Sequence, residues 1–214
     1  MSLNTCRRCG TCCRKGGPAL HLSDVDLLEY VPMGSLVCLR RGEQAFDPRT
    51  NGLAQLEREL LKIRGRDGGW ACMYFDEQSA ACGVYMNRPL ECRSLSCSDT
   101  GDIFSAMDTP PLARENVVPA GSALWSCIEE HERLFPASEA FRLAAARRVG
   151  DGIPQELDKL IRRESHFRQN FAEKVGVTDE DLWAYFGRPL WLVLAPLNRG
   201  YMQYGPQVKS ASNC

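Results

Sequence analysis

The sequence predicts an α+β chain: an irregular, cysteine-rich N-terminal domain with a small β-hairpin, followed by a helical C-terminal region. Three observations predict it. Eight of the 11 cysteines fall in two short-spaced groups within the first 97 residues. Two short β-prone runs, 70–75 and 80–85, flank a polar turn at 76–79. Beyond residue 121, apolar side chains recur every three or four positions, the period of an α-helix face.

The elements follow in order. Residues 1–20 are rich in Cys, basic residues and Gly and read as irregular. Leu22-Ser23-Asp24-Val25-Asp26 opens a short helix with Ser23 as its N-cap and Asp26 three residues on, ended by Pro32 and Gly34. Leu36 to Leu39 is a strand. Asp47-Pro48 and Asn51-Gly52 are turn signals. Leu53 to Ile63 reads as an amphipathic helix, with Leu53, Leu56, Leu60 and Ile63 at helical spacing. Pro89 suits the first turn of a short helix that carries Cys92. The Gly and Pro residues of 101–121 read as a linker. Helices are expected over 122–135, 137–149 and 154–175, and a capped short helix from Thr178. The resulting division is a cysteine-cluster domain over 1–100, the linker over 101–121, a helical region over 122–202 and a loose tail over 203–214.

Composition narrows the function. A chain of 214 residues can bury a core without disulfides. The 26 basic and 27 acidic residues balance to a net charge of -1, which leaves no general electrostatic footprint for nucleic acid. No apolar run approaches the roughly 18 residues of a membrane span. Residues 1–13 lack the apolar stretch of a secretory signal, so the expected location is cytoplasmic. In a reducing compartment, patterned cysteines point to metal or catalysis rather than disulfides.

The cysteines therefore carry the chemistry. Cys6-x2-Cys9-x2-Cys12-Cys13 lets sulfurs two residues apart turn toward one ion while the intervening amides point at them. Gly10 stands where a tight turn is needed. The opening matches the start of a bacterial ferredoxin run, but position 16 is Gly16, so further ligands must come from elsewhere. Cys72, Cys82, Cys92 and Cys97 supply them, with Cys72 and Cys82 expected opposite each other across the hairpin. The side chains of adjacent Cys12 and Cys13 are expected to diverge, which favours two metals or one polynuclear cluster. Arg7, Arg8, Arg14, Lys15, Arg88 and Arg93 lie beside the cysteines, where cations favour thiolates; the alternative is a solvated basic surface. Cys38, Cys127 and Cys214 stand alone, with Cys127 expected in a helical core.

These motifs, with the Leu-Ser-x-x-Asp segment and the run Cys82-Gly-Val-Tyr-Met-Asn-Arg-Pro-Leu-Glu-Cys92-Arg-x3-Cys97, resemble the YkgJ-like cysteine-cluster family over residues 6–97. The resemblance implies a zinc- or iron-chelating domain with Cys6, Cys9, Cys12, Cys13, Cys72, Cys82, Cys92 and Cys97 as ligands. A relative, the flagellin lysine methylase, implies that such a domain can belong to enzymes that modify proteins.

The remaining candidates have plainer readings. His21 reads as a surface group or one lying behind the ligands; His131 and His166 read as solvated helix positions. Glu156, Asp158, Glu164 and Glu173 lack the Glu-x-x-His of a di-iron bundle. Trp183, Tyr185, Phe186 and Trp191 suit a helical core. No phosphate-binding loop or dinucleotide fingerprint is present. Two functions follow. One is a redox or protein-modifying protein holding iron, as an iron–sulfur cluster or otherwise, with zinc as the alternative metal. The other is a structural zinc adaptor whose helical half docks a protein partner.

Overall fold

The computed structural model describes residues 6–96, 101–147 and 151–205. The architecture is α+β. The N-terminal half holds short antiparallel strand pairs and the C-terminal half is helical. A cysteine loop runs into α1 (Thr11–Lys15). A 3-10 segment, Leu22–Glu29, replaces the expected α-helix. Its entry is set by His21 and Asp24 rather than by Ser23 and Asp26: the His21 N–H donates to Asp24 Oδ2 at 3.1 Å.

Strand β1 (Leu36–Leu39) pairs antiparallel with β4 (Leu60–Ile63), Leu36 opposite Ile63. Between them β2 (Gln44–Asp47) and β3 (Gly52–Gln55) form a hairpin closed by the Asp47-to-Gly52 turn. The helix expected over 53–63 is thus two strands. Leu53, Leu56, Leu60 and Ile63 fit the helical period, whereas Leu61 and Ile63 fit the strand period. What decides is tertiary: Leu61 and Ile63 alternate into the core, and β1 supplies backbone partners that a buried segment must find. Leu53, a core position on the helical reading, is exposed. The cysteine-bearing hairpin is smaller than expected, β5 (Phe75–Asp76) against β6 (Ala81–Cys82). Short α2 (Leu90–Ser94) follows.

The 101–121 stretch is built into the fold rather than linking two parts. It contains α3 (Gly101–Met107), and Leu112 is fully buried. The Leu112 N–H donates to Leu20 O, and Leu112 O accepts from the Leu61 N–H, each at 2.8 Å. The first core gathers Leu20, Leu36, Cys38, Leu61, Ile63, Phe75 and Leu112.

The helical half comprises α4 (Ala123–Leu134), α5 (Ala137–Ala145), α6 (Gln155–Val175), α7 (Trp183–Phe186) and α8 (Leu190–Leu194). Ser122 caps α4 by accepting from the Trp125 N–H at 3.1 Å. Gly176 ends α6 at φ 72°, a left-handed cap suited to glycine. Trp183 and Phe186 are buried, and Tyr185 and Trp191 pack against helical cores. Among the described residues no helix is long and apolar enough to cross a membrane.

A buried charged seam joins the halves. Arg40, at the end of β1, is fully buried and grips Glu132 of α4 through Nε and Nη2, both at 2.9 Å. Arg114 binds Glu59 in a bidentate pair and reaches Glu132 at 2.9 Å and Tyr185 O at 2.6 Å. Arg188 lies 3.5 Å from Glu43, and Arg168 bridges Glu164 and Asp179. Gly187 (φ 70°) passes so close to β1 that a Cβ there would press on the Arg40 side chain.

His131 corrects the solvated-face expectation. It is fully buried, ringed by Phe135, Phe167 and Phe186 at 4.9–5.4 Å, with Nε2 3.4 Å from Glu164. His166 is exposed, as expected. Burial, then the charges of Arg40 and Arg168, push the His131 pKa down to about 2. A histidine held neutral when folded gains its proton only on unfolding. Stability is therefore lost as pH falls below the ordinary value of 6.5, down toward about 2. From about pH 7.5 to about pH 5.5 this group should remove about 1.4 kcal/mol. His21, raised chiefly by its hydrogen bond to Glu91, works in the opposite sense. The measure is therefore the difference between the parent and His131→Phe in urea unfolding at the two pH values. Equal pH slopes in the two proteins would contradict the assignment.

Candidate metal centre

The cysteine loop folds as its spacing requires. The Arg8 N–H donates to Cys6 Sγ at 3.4 Å, an amide aimed at sulfur between two cysteines. The Cys9 thiol donates to Thr11 Oγ1 at 3.4 Å. Gly10 takes φ 74°, and a Cβ there would collide with the Phe75 ring, so glycine is needed for both the turn and the close approach. Beyond the turn, α1 carries Cys12 and Cys13.

Those two sulfurs do not diverge. They lie 4.0 Å apart. Two thiolates on one tetrahedral ion, with metal–sulfur bonds of about 2.3 Å, sit about 3.8 Å apart. The adjacent pair therefore has the spacing to share an ion.

The second segment docks on the first through backbone: the Cys72 N–H donates to Cys13 O at 2.8 Å. Cys72 and Cys82 are not cross-strand partners. Cys82 pairs with Phe75, and Cys72 bridges to Gly65. The sulfurs nevertheless lie within electrostatic reach of one another. Cys92 feels the charges of Cys72, Cys12, Cys82 and Cys13, and Cys13 those of Cys12, Cys72 and Cys82. Of the eight expected ligands, Cys12, Cys13, Cys72, Cys82 and Cys92 thus share one neighbourhood, and the close sulfur pair is Cys12 with Cys13. Cys6 and Cys9 engage their own loop on the solvent side. Cys97 lies outside the described residues. None of the described cysteines is disulfide-bonded.

Burial first, then the neighbouring cysteines, push the Cys13 thiol up to about 12 and raise Cys92. Burial also raises Cys72. A gathered set of neutral thiols is what a cation must deprotonate as it binds. The donor set fits the group: thiolates select zinc and iron over hard cations. Among the described residues, no group of three or more Cys, His, Asp or Glu side chains is arranged to hold an ion as it stands. Capture therefore requires the sulfurs to turn inward.

The flanking arginines have other partners. Arg14 pairs with Glu77 at 2.9 Å, and Arg93 lies 3.5 Å from Asp24. The Arg8 and Arg88 guanidinium groups lie over the Tyr85 ring at 4.5 and 4.1 Å. The cation acting on Cys72 is Lys62 of β4, which the helical reading of 53–63 hid. His21 is buried, not superficial: its ring lies 3.4 Å from Glu91 and 2.9 Å from Thr109 Oγ1. Cys38 is buried beneath Arg114, and Cys127 packs in a helical core as expected. Cys214 falls outside the described residues.

Residues 5–110 match the CxxCxxCC family, described as a "putative zinc- or iron-chelating domain". These residues are similar to that family. The CxxCxxCC domain accounts for the cysteine loop, the small hairpin and α2, and bears out the resemblance read from the motifs. The match supports metal binding through this domain, with zinc or iron as the metal. No curated protein and no solved structure matches the chain.

Proposed function

We propose that the CxxCxxCC domain holds iron in a polynuclear thiolate centre, ligated by Cys6, Cys9, Cys12, Cys13, Cys72, Cys82, Cys92 and Cys97. One observation carries this reading. Five cysteines lie within electrostatic reach of one another, with Cys12 and Cys13 4.0 Å apart, and a tetrahedral ion accepts only four thiolates. A fifth sulfur leaves either a spare ligand or a second metal atom. Cys6 and Cys9 lie on the same short loop that leads into Cys12 and Cys13. Iron in such a set supplies a redox couple; zinc supplies none. Redox chemistry is thus the activity proposed for the centre.

Anaerobic purification with metal and sulfide analysis and a visible spectrum tests it. The expected result is at least two iron atoms per chain and visible absorbance that fades in air. Acid-labile sulfide would identify an iron–sulfur cluster. A colourless protein filled with zinc would transfer the same ligands to a structural role, and one ion per chain would defeat the polynuclear reading.

A further inference from the structure

We propose that Asp24 positions Cys92 for metal capture by capping α2 from a distant point in the chain; this rests on the thiolate-centre reading. Helix α2 has five residues and begins after Pro89, which has no side-chain oxygen to offer its first amides. So short a helix does not hold itself, and its leading N–H groups need acceptors. Asp24, 66 residues earlier, supplies one: Oδ1 accepts the Leu90 N–H at 2.9 Å. The same carboxylate takes the His21 N–H on Oδ2 and has the Arg93 guanidinium 3.5 Å from Oδ1. Asp24 is fully buried. A buried carboxylate persists only where its oxygens are satisfied, and every partner named here belongs to α2 or to the turn that faces it.

A second clamp acts beside the first. Glu91 Oε2 accepts the Ala19 N–H at 2.8 Å, and Oε1 lies 3.4 Å from His21 Nε2. The helix bearing Cys92 is therefore bolted to residues 19–24 by carboxylates on both sides of the junction. That is what turns Cys92 toward Cys12, Cys13, Cys72 and Cys82 rather than letting it wander with a frayed turn. Asp24 does not touch the metal. It is a positioning residue.

The test is a mutant cycle read by cobalt(II) titration of the full, anaerobically reduced chain, in which sulfur-to-cobalt absorption counts bound thiolates. Cys92→Ser should weaken binding and lower that absorption. Asp24→Ala, which removes the acceptor oxygen, should weaken cobalt binding about 10–100-fold, as loss of a group supporting a ligand does. Combining the two should be no worse than Cys92→Ser alone, because Asp24 acts through that sulfur. Leu90→Pro gives a second, independent arm: it removes the N–H that Asp24 accepts, yet proline is tolerated at a helix's first position. It should reproduce the loss with Asp24 intact. Additive losses in the double variant, or full affinity in both Asp24→Ala and Leu90→Pro, would overturn the positioning role while leaving the ligands standing. If Cys92→Ser itself binds cobalt normally, Cys92 is no ligand and both readings fall.

Discussion

Arg114→Ala should lower stability by about 3–5 kcal/mol, the usual cost of removing one partner from a buried ion pair. Arg114 is almost wholly buried and serves three acceptors: Glu59, Glu132 and Tyr185 O. Its truncation leaves Glu59 without its counter-charge and Glu132 with Arg40 alone. Those carboxylates belong to opposite halves, so the loss should appear as one cooperative shift in the urea midpoint of the whole chain. Arg133→Ala is the control. Its partner Glu130 is exposed, 2.7 Å away on the same helix, and such solvent-screened pairs add little to stability. If the two variants unfold at the same midpoint, the seam does not hold the halves together.

Stripping the metal should have the second large effect, and an uneven one. Residues 6–16 and 70–95 contain helices of five residues and strands of two. Segments this short are held by what crosses between them. Apart from the Cys72–Cys13 backbone bond, much of that crossing is sulfur to metal on the reading proposed above. The β1–β4 pair and Leu20, Leu61 and Leu112 are secured by backbone bonds and apolar burial instead. Hydrogen exchange after chelation should therefore speed up at Arg14, Cys72 and Gly83, while Leu20, Leu61 and Leu112 stay protected. Uniform loss of protection would mean that the metal anchors the entire fold. No change at all would mean that the thiols do not carry it.

Much of this was legible in the residues. Four cysteines within eight positions announced the centre, and Gly10 announced its turn. The spacing of the later apolar residues announced the helices. What was hidden depended on partners remote in sequence. Leu56, Leu60 and Ile63 satisfy a helical period, and only β1 reveals that Leu60 to Ile63 is its neighbouring strand. His131 sits among Glu129, Glu130, Glu132 and Arg133, so its neighbours in sequence advertise a wet surface. The ring of Phe135, Phe167 and Phe186 that buries it comes partly from other helices. Cys12 and Cys13 converge because α1 and the turn at Gly10 orient them together, which adjacency alone does not disclose. Asp24 looked like one acid among several, since its bond to Leu90 spans 66 residues.

The family match stops at residue 110, just short of Leu112, which supplies a backbone acceptor to Leu61 and a donor to Leu20. Arg40 lies inside the match, while Glu132, which neutralises it, lies outside. The inherited module is therefore not self-sufficient in this protein. Transplanted alone, residues 5–110 would carry a naked guanidinium and an unfinished sheet edge, so any functional dissection by truncation must keep the helices attached or supply a surrogate for them.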